Sequence, residues 1–436
     1  MTGRGGLARP IGWVARLPIL APLGGRDFRF VWLGESVSLL GDQFHTVALS
    51  WLVLGLTGSG FALGVILMAA AIPRGIFLLL GGVFSDRVSP RDLALVSNMV
   101  RAVLTTIVAA LVLGDQVRIE YLVVLAILFG TVDAVFLPAI NTLVPRLVAP
   151  ERLAAANAVM QGTGQLAGTI GPALAGLAVA LIGVGAAFLF DAVSFAVAAL
   201  ALWFVRSGAR PGRPAVWDKP SAMDEPPAAE MAEPEPSSIV AALVDGARVV
   251  LGDPVMRSIV ILSTAANLAF TGPTVVGLPW LVLVHFRGDA LALGLLFAAF
   301  GAGSLAGVLL AGSAPRPRRF GSIVLTLVML MGVGLGAIGL APTIPAVGLI
   351  LVCAGAMNGY VNIGVIAWVQ GRTDPLMLGR TMSFLMLGSV IAAPLSLGIA
   401  AIMVDSHATG MFLAAGLLVI GAGFIGIASG LPRRMA

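Results

Sequence analysis

The sequence is dominated by apolar runs of about 20 residues, the length at which a helix crosses the roughly 30 Å hydrocarbon core of a bilayer. These runs follow one another along nearly the whole chain, separated by short polar segments. Only 11% of the 436 residues are charged, whereas soluble domains carry roughly 25% charged residues. The sequence therefore predicts an all-α protein embedded in a membrane.

Twelve of these runs qualify as membrane spans, and they fall into two groups of six. The first group covers 28–56, 61–84, 93–113, 119–144, 154–182 and 186–205. The second group covers 259–284, 290–311, 320–340, 345–369, 381–404 and 409–431. We therefore expect two six-helix bundles related by pseudo-symmetry, an N-terminal one over 27–206 and a C-terminal one over 257–431.

The positions of the basic residues indicate how the chain is oriented, because Lys and Arg stay on the cytoplasmic side when helices insert. If the amino terminus is cytoplasmic, only four of the 26 Lys and Arg residues lie elsewhere: Arg74, Arg101, Arg118 and Arg287. Both termini are then cytoplasmic, as an N-terminal segment over 1–26 and a tail over 432–436. The expected location is the cell (inner) membrane.

The segment between the two groups has a different composition. Residues 207–238 contain seven prolines and a run of acids, a composition that cannot bury enough apolar surface to fold alone. Residues 239–256 follow with an amphipathic pattern that predicts a helix at the membrane surface. We therefore expect 207–256 to be a cytoplasmic linker.

The cysteine and histidine content excludes several classes of protein. Cys353 is the single cysteine, so there is no disulfide framework, and three scattered histidines form no recognisable metal site. The basic residues are spread between the spans rather than massed in one module, so nucleic-acid binding is not expected. No nucleophile paired with a base and no phosphate loop is present, so we expect neither an enzyme nor a cofactor.

Ionisable residues within the spans carry the main functional signal, because a charge at the bilayer centre costs at least roughly 2.5 kcal/mol and marks a pathway. Glu35, Asp42 and His45 recur at helical spacing on one face of the first span. Asp133 lies deep in the fourth span, and Asp191 lies near the outer end of the sixth. Asp42 and Asp133 are the predicted proton carriers, with Glu35 and His45 as further proton-coupling candidates.

A structural alternative exists for each of these residues. Asp42 can pair with Arg74 of the second span, and Asp133 with Arg101 of the third, so that the charges fix helices without moving protons. His45 can be a hydrogen-bonded wall residue rather than a proton shuttle. The residues alone leave these alternatives open.

The loop after the second span reads GVFSDRVSPR from Gly82 to Arg91, and it resembles the cytoplasmic signature of the major facilitator superfamily. Positions 89–90 hold Ser-Pro where the family pattern has Gly and Arg. The resemblance implies a charge relay of Asp86, Arg87 and Arg91 that latches one conformation. The counterpart loop after the eighth span lacks the aspartate, so a latch of this type is one-sided.

A second resemblance lies in the fifth span, where Gly171, Pro172 and Gly176 match the Gly-Pro signature of the superfamily's proton-coupled exporters. Small residues at these positions let helices approach closely, and the proline bends the span. Further phrases between residues 28 and 380 resemble the drug/proton antiporter branch that includes macrolide efflux pumps and siderophore exporters. This branch implies export rather than uptake.

Amide side chains recur on the spans that the superfamily fold would place around a central cavity, and on the fifth span beside them. The second half has no acid within a span, so its cavity face is amide, aromatic and aliphatic, which suits amphipathic or apolar substrates. The cavity-lining candidates are Gln161, Gln165, Asn267, Asn358 and Asn362.

Taken together, these features predict a secondary active transporter, a proton-coupled exporter of drug-like or amphipathic small molecules that works by alternating access. Its expected partners are a small-molecule substrate, protons and the lipid bilayer, with no cofactor and no metal, and we expect a monomer. Two alternatives stay open. One is export of an endogenous amphiphile such as a siderophore or lysolipid, and the other is a non-transporting membrane sensor or scaffold on the same fold.

Overall fold

The protein is described here from a computed structural model that covers residues 18–84, 88–206, 247–248, 250, 252–313, 317–373 and 378–434. Within these ranges the chain is helical, with short turns and no strand. The first half contains six long helices. They are α1 Arg26–Thr57, α2 Gly60–Phe84, α3 Pro90–Leu113, α4 Ile119–Leu147, α5 Leu153–Ile182 and α6 Val184–Trp203.

The second half repeats this plan. Its first four long helices are α7 Pro254–His285, α8 Ala290–Ser313, α9 Phe320–Ile338 and α10 Ile344–Arg372. The segment Leu378–Ala428 is continuously helical except at His407, whose φ of −143° and ψ of 50° break it into α11 before and α12 after this residue. A short helix α13, Leu431–Arg434, ends the described chain.

Eleven helices of the described chain are long and apolar enough to cross a membrane, and one of them is the 45-residue segment Phe384–Ala428. At 1.5 Å per residue this segment is about twice the thickness of a hydrocarbon core, so it supplies two spans. The all-α membrane fold predicted from the sequence is confirmed. The kink at His407 lies between the predicted eleventh and twelfth spans.

Local sequence explains several helix boundaries. Gly58 ends α1 with a φ of 64°, a left-handed conformation that a residue without a Cβ adopts at little cost. Pro90 is the first residue of α3, where a missing N–H costs nothing. The Ser-Pro that departs from the family signature therefore begins a helix.

The sequence predicted a span at α7 but not its π-helical turns. Its chain continues beyond Gly272 through two π-helical turns, Pro273–Gly277 and Leu281–His285. Pro273 and Pro279 both lack the N–H that an α-helix needs, and a widened turn is one way in which a helix accommodates a lost hydrogen bond.

We call the end at which α1 begins and α6 ends the linker end, and the end at which α1 ends and α2 begins the far end. The two halves meet along two pairs of helices, α5 with α8 and α2 with α11.

The α5–α8 contact is backbone against backbone in the far-end part of both helices. A Cβ added to Gly176 would lie 2.4 Å from the carbonyl oxygen of Ala290, and one added to Gly294 would lie 2.2 Å from that of Pro172. One added to Gly301 would lie 2.7 Å from the Cα of Thr169. Only glycine fits at such approaches, so the far-end halves of the two helices are in tight contact.

The same two faces separate toward the linker end. Gly162 of α5 and Gly312 of α8 lie on these faces by helical spacing, yet a Cβ at either position would meet no atom within 4 Å. The α5–α8 pair is therefore closed at the far end and diverges toward the linker end.

Candidate functional site

The centre of the ionisable cluster is Asp133 of α4, which lies between two arginines. Its Oδ1 is 3.1 Å from Nη1 of Arg101 on α3, and its Oδ2 is 3.2 Å from Nε of Arg74 on α2. The Arg101 side chain is 2% exposed, whereas that of Arg74 is 55% exposed. One carboxylate thus joins three helices of the first bundle.

Arg101 is held by more than Asp133. Its guanidinium carbon lies 3.9 Å from the ring centre of Phe136 and 4.5 Å from that of Phe195, and its Nη2 donates to Oδ1 of Asn98 at 2.6 Å. Aromatic faces and an anion together compensate a guanidinium that stays charged when buried. Arg101 is the positive centre of the cluster.

Glu35 and Asp42 of α1 have a different environment. Asp42 lies close enough to interact electrostatically with Asp133, Asp191 and Arg101. In the described part of the chain, however, neither Glu35 nor Asp42 forms an ion pair. Two carboxyls of the cluster are therefore left without a cation in contact.

These contacts contradict the structural alternative in which Asp42 pairs with Arg74. The alternative pair of Asp133 with Arg101 is present. Arg74 binds Asp133 instead of Asp42 because α2 packs mainly along α4 rather than along α1. Gly41, next to Asp42, packs against Asp191 and Ser194 of α6.

His45 of α1 is hydrogen-bonded to Asp191 of α6. Its Nδ1 lies 3.0 Å from Oδ2 of Asp191, which is fully buried. The imidazole lies between the rings of Phe129 and Phe188, with centroid distances of 5.2 and 5.3 Å. His45 also borders a cavity of about 50 Å³ inside the first bundle, large enough for water. The polar face of α1 is therefore directed at His45 toward α4 and α6, and not toward the space between the two halves.

Asp191 was visible in the sequence as an intramembrane acid but was not assigned a role. It is a carboxyl in an otherwise apolar span, which is the feature that identified Asp42 and Asp133 as candidates. Its partner lies 146 residues away along the chain, so the pair was not readable from local spacing.

The signature loop is only partly within the described chain. Gly82 belongs to the last turn of α2, while Asp86 and Arg87 lie outside the described residues. Arg91 donates from Nε to the carbonyl oxygen of Leu202 at 3.0 Å and from Nη2 to that of Trp203 at 2.7 Å. It thereby binds the last carbonyls of α6 in its own half, the position at which a cation is favourable on a helix.

The Gly-Pro signature lies at contacts between helices. Gly176 and Pro172 meet α8 of the other half, as described above, and a Cβ on Gly171 would lie 2.5 Å from Cγ of Gln43 on α1. Gly176 is therefore small enough for the close approach of α8 at the far end, whereas Gly171 permits close packing against α1 within the first half.

The predicted amides do not join the ionisable cluster within the described chain. Gln165 donates to the carbonyl oxygen of Gly301 across the two halves at 3.5 Å, and Asn267 donates to Ser263 of its own helix at 2.9 Å. Asn358 is half-buried, and Gln161 and Asn362 are exposed.

Twelve spans in two halves, with ionisable groups inside the first, define a multi-pass membrane protein in the part of the chain that the structure describes. A family model described as Major Facilitator Superfamily matches residues 31–397. The chain belongs to the major facilitator superfamily, as its sequence signatures predicted.

Two relatives resemble the chain over nearly its full length. The multidrug efflux pump Tap of Mycolicibacterium fortuitum is 28% identical over 405 residues, which cover 90% of this chain and 92% of that protein. Macrolide efflux protein A of Streptococcus pyogenes is 21% identical over 399 residues, covering 90% and 93%.

Solved structures show the same fold at lower identity. A bacterial homologue of the iron transporter ferroportin in an inward-facing state matches with a TM-score of 0.69 at 17% identity, covering 92% of this chain and 98% of that one. A POT family transporter in complex with 5-aminolevulinic acid matches with a TM-score of 0.71 at 13% identity, covering 94% and 97%.

Proposed function

We propose that the protein is a proton-coupled exporter of drug-like or amphipathic small molecules, working by alternating access of its two helix bundles. The proposal depends on one observation: the acids of the first bundle differ in whether an arginine is in contact with them. Asp133 is bound by two arginines, whereas Glu35 and Asp42 have no cation in contact among the described residues. The unpaired carboxyls are the ones that can take up and release protons.

Charge balance supports this assignment. Glu35, Asp42, Asp133 and Asp191 carry four negative charges when ionised, against two positive charges on Arg74 and Arg101. Uncompensated charge in a low-dielectric interior is costly, so a neutral cluster requires two bound protons, on these carboxyls or on His45. A bound substrate or a change of conformation that alters this balance shifts the proton occupancy.

The direction and the substrate class rest on the relatives and on the Gly-Pro signature. Tap is named a multidrug efflux pump, and macrolide efflux protein A is named for macrolides. The distribution of the basic residues predicts cytoplasmic termini and a cytoplasmic linker 207–256, so the open linker end would face inward, the side from which an exporter takes up its substrate. We further propose a monomer, with each half acting as one rigid unit.

The test is transport into inverted membrane vesicles across an imposed pH gradient, with fluorescent dyes and macrolides as substrates. We expect uptake that requires the gradient and is lost in Asp42→Asn and reduced in Glu35→Gln. The matched control is Asp289→Asn, which removes a carboxylate that caps α8 at the far end of the second half. The proposal fails if no substrate accumulates faster with the gradient than without it.

A further inference from the structure

Asp405, at the junction of α11 and α12, binds the first residues of α2 in the opposite half. Its Oδ1 accepts a hydrogen bond from the backbone N–H of Gly60 at 2.7 Å. Its Oδ2 accepts from the hydroxyl of Ser59 at 2.5 Å and from the N–H of Phe61 at 3.2 Å. A single carboxylate therefore takes three donors from the other half of the molecule.

The contact resembles a helix cap, with the difference that the capping group comes from a distant part of the chain. The first N–H groups of a helix have no partner within the helix, and the positive end of the helix dipole favours an anion there. In α2 this anion is supplied by a residue 345 positions away from Gly60. The cap is satisfied only while the two halves stay together at the far end.

The packing around the carboxylate depends on the same closure. A Cβ on Gly60 would lie 2.4 Å from Cγ1 of Val404, and one on Gly64, a turn further along α2, would lie 2.4 Å from Cβ of Ala401. These small residues let α2 approach α11 closely enough for Asp405 to reach the helix start. Separation of the halves at the far end would break all three hydrogen bonds at once.

We propose that Asp405 is a latch of the far-end-closed state, released each time the far end opens during the transport cycle. It lies at the far end, opposite the linker end at which Arg91 of the signature loop binds α6. The second half lacks the aspartate of the signature loop in its own counterpart loop, and Asp405 supplies an acid from this half at the other end. The inference depends on alternating access and not on proton coupling.

The latch can be tested by the accessibility of Val404, which is fully buried beneath it. In a Cys353→Ser background, Val404→Cys places a thiol that a charged, water-soluble maleimide reaches only when the far end opens. Its labelling rate in the full-length protein in lipid nanodiscs therefore follows the population of the open state. Adding Asp405→Asn is expected to raise the rate on the order of fivefold, through loss of the charged cap.

Two further variants make the result decisive. Asp289→Asn removes the same charge at the same end, but Asp289 caps α8 of its own half through the N–H of Ala292 at 2.7 Å, and we expect no change in the labelling rate. Ser59→Ala removes one of the three donors and should give a smaller rise, which also covers the case that Asp405→Asn fails to fold. The proposal is overturned if neither Asp405→Asn nor Ser59→Ala exceeds Asp289→Asn. A failure of the vesicle experiment would argue against proton coupling, but it would not contradict the latch.

Discussion

The two six-helix bundles of this protein both contain close glycine packing, and they differ in the buried charge that the first bundle adds to it. A Cβ on Gly130 of α4 in the first bundle would lie 2.0 Å from the carbonyl oxygen of Ala70 on α2. In the first, Asp133 and Arg101 join helices through a buried ion pair, with the guanidinium between two aromatic rings. In the second, α8 and α10 interlock through glycines whose added Cβ atoms would lie 2.0 to 2.1 Å from carbonyl oxygens of the facing helix. These are Gly303, Gly307, Gly355 and Gly359.

This difference between the bundles indicates why the first bundle contains charged residues within its spans. The second bundle reaches the same architecture with Asp405, at the α11–α12 junction, as the only acid of its described membrane-spanning helices, so a six-helix bundle of this plan does not need acids deep within its spans to fold. Buried ion pairs add little stability over well-packed apolar residues. The charges of the first bundle are therefore best explained by function.

The largest effect is expected from removing the positive centre of the first bundle. Arg101→Ala leaves the carboxylate of Asp133 with only the exposed Arg74, and removes the contacts with Phe136 and Phe195. Loss of one partner of a buried pair costs about 3 to 5 kcal/mol, so thermal unfolding in detergent should shift strongly to lower temperature. Arg118→Ala, at the exposed far end, is the control, and equal melting temperatures for the two variants would contradict the role of Arg101.

A smaller effect is expected from the glycine packing of the second bundle. A methyl at Gly307 would lie 2.0 Å from the carbonyl oxygen of Ala356, so Gly307→Ala must push α8 and α10 apart at about 1 to 3 kcal/mol. Gly421→Ala is the matched control because no atom lies within 4 Å of its Cβ position. If Gly307→Ala unfolds at the same temperature as Gly421→Ala, backbone packing does not hold the second bundle.

The smallest effect is expected at Arg74, the second partner of Asp133. Its side chain is 55% exposed, whereas that of Arg101 is 2% exposed, so its ion pair should contribute less than that of Arg101. Arg74→Ala should therefore unfold close to the wild-type temperature, well above Arg101→Ala. Similar destabilisation by both variants would mean that burial does not set the strength of the two pairs.

Much of the fold was predictable from the sequence, because span length and apolar composition are local properties. The twelve spans, their two groups and the break near His407 follow from them. The angular position of a helix about its own axis is not local, and this is why Arg74 was matched to Asp42 although it binds Asp133. Asp405 and Gly60, 345 residues apart, could not be paired from the sequence for the same reason.

The proposed proton exchange of the first bundle takes place at Glu35 and Asp42, and not at the arginine-bound Asp133. Infrared titration of the purified protein tests it without any substrate, because a protonated carboxyl has its own carbonyl-stretch band. We expect a pH-dependent component of this band in the wild type that persists in Asp133→Asn and is lost in the double variant Glu35→Gln, Asp42→Asn, while the component from the other carboxyls is the same in all variants. A component that survives in the double variant and disappears in Asp133→Asn would contradict proton exchange at Glu35 and Asp42.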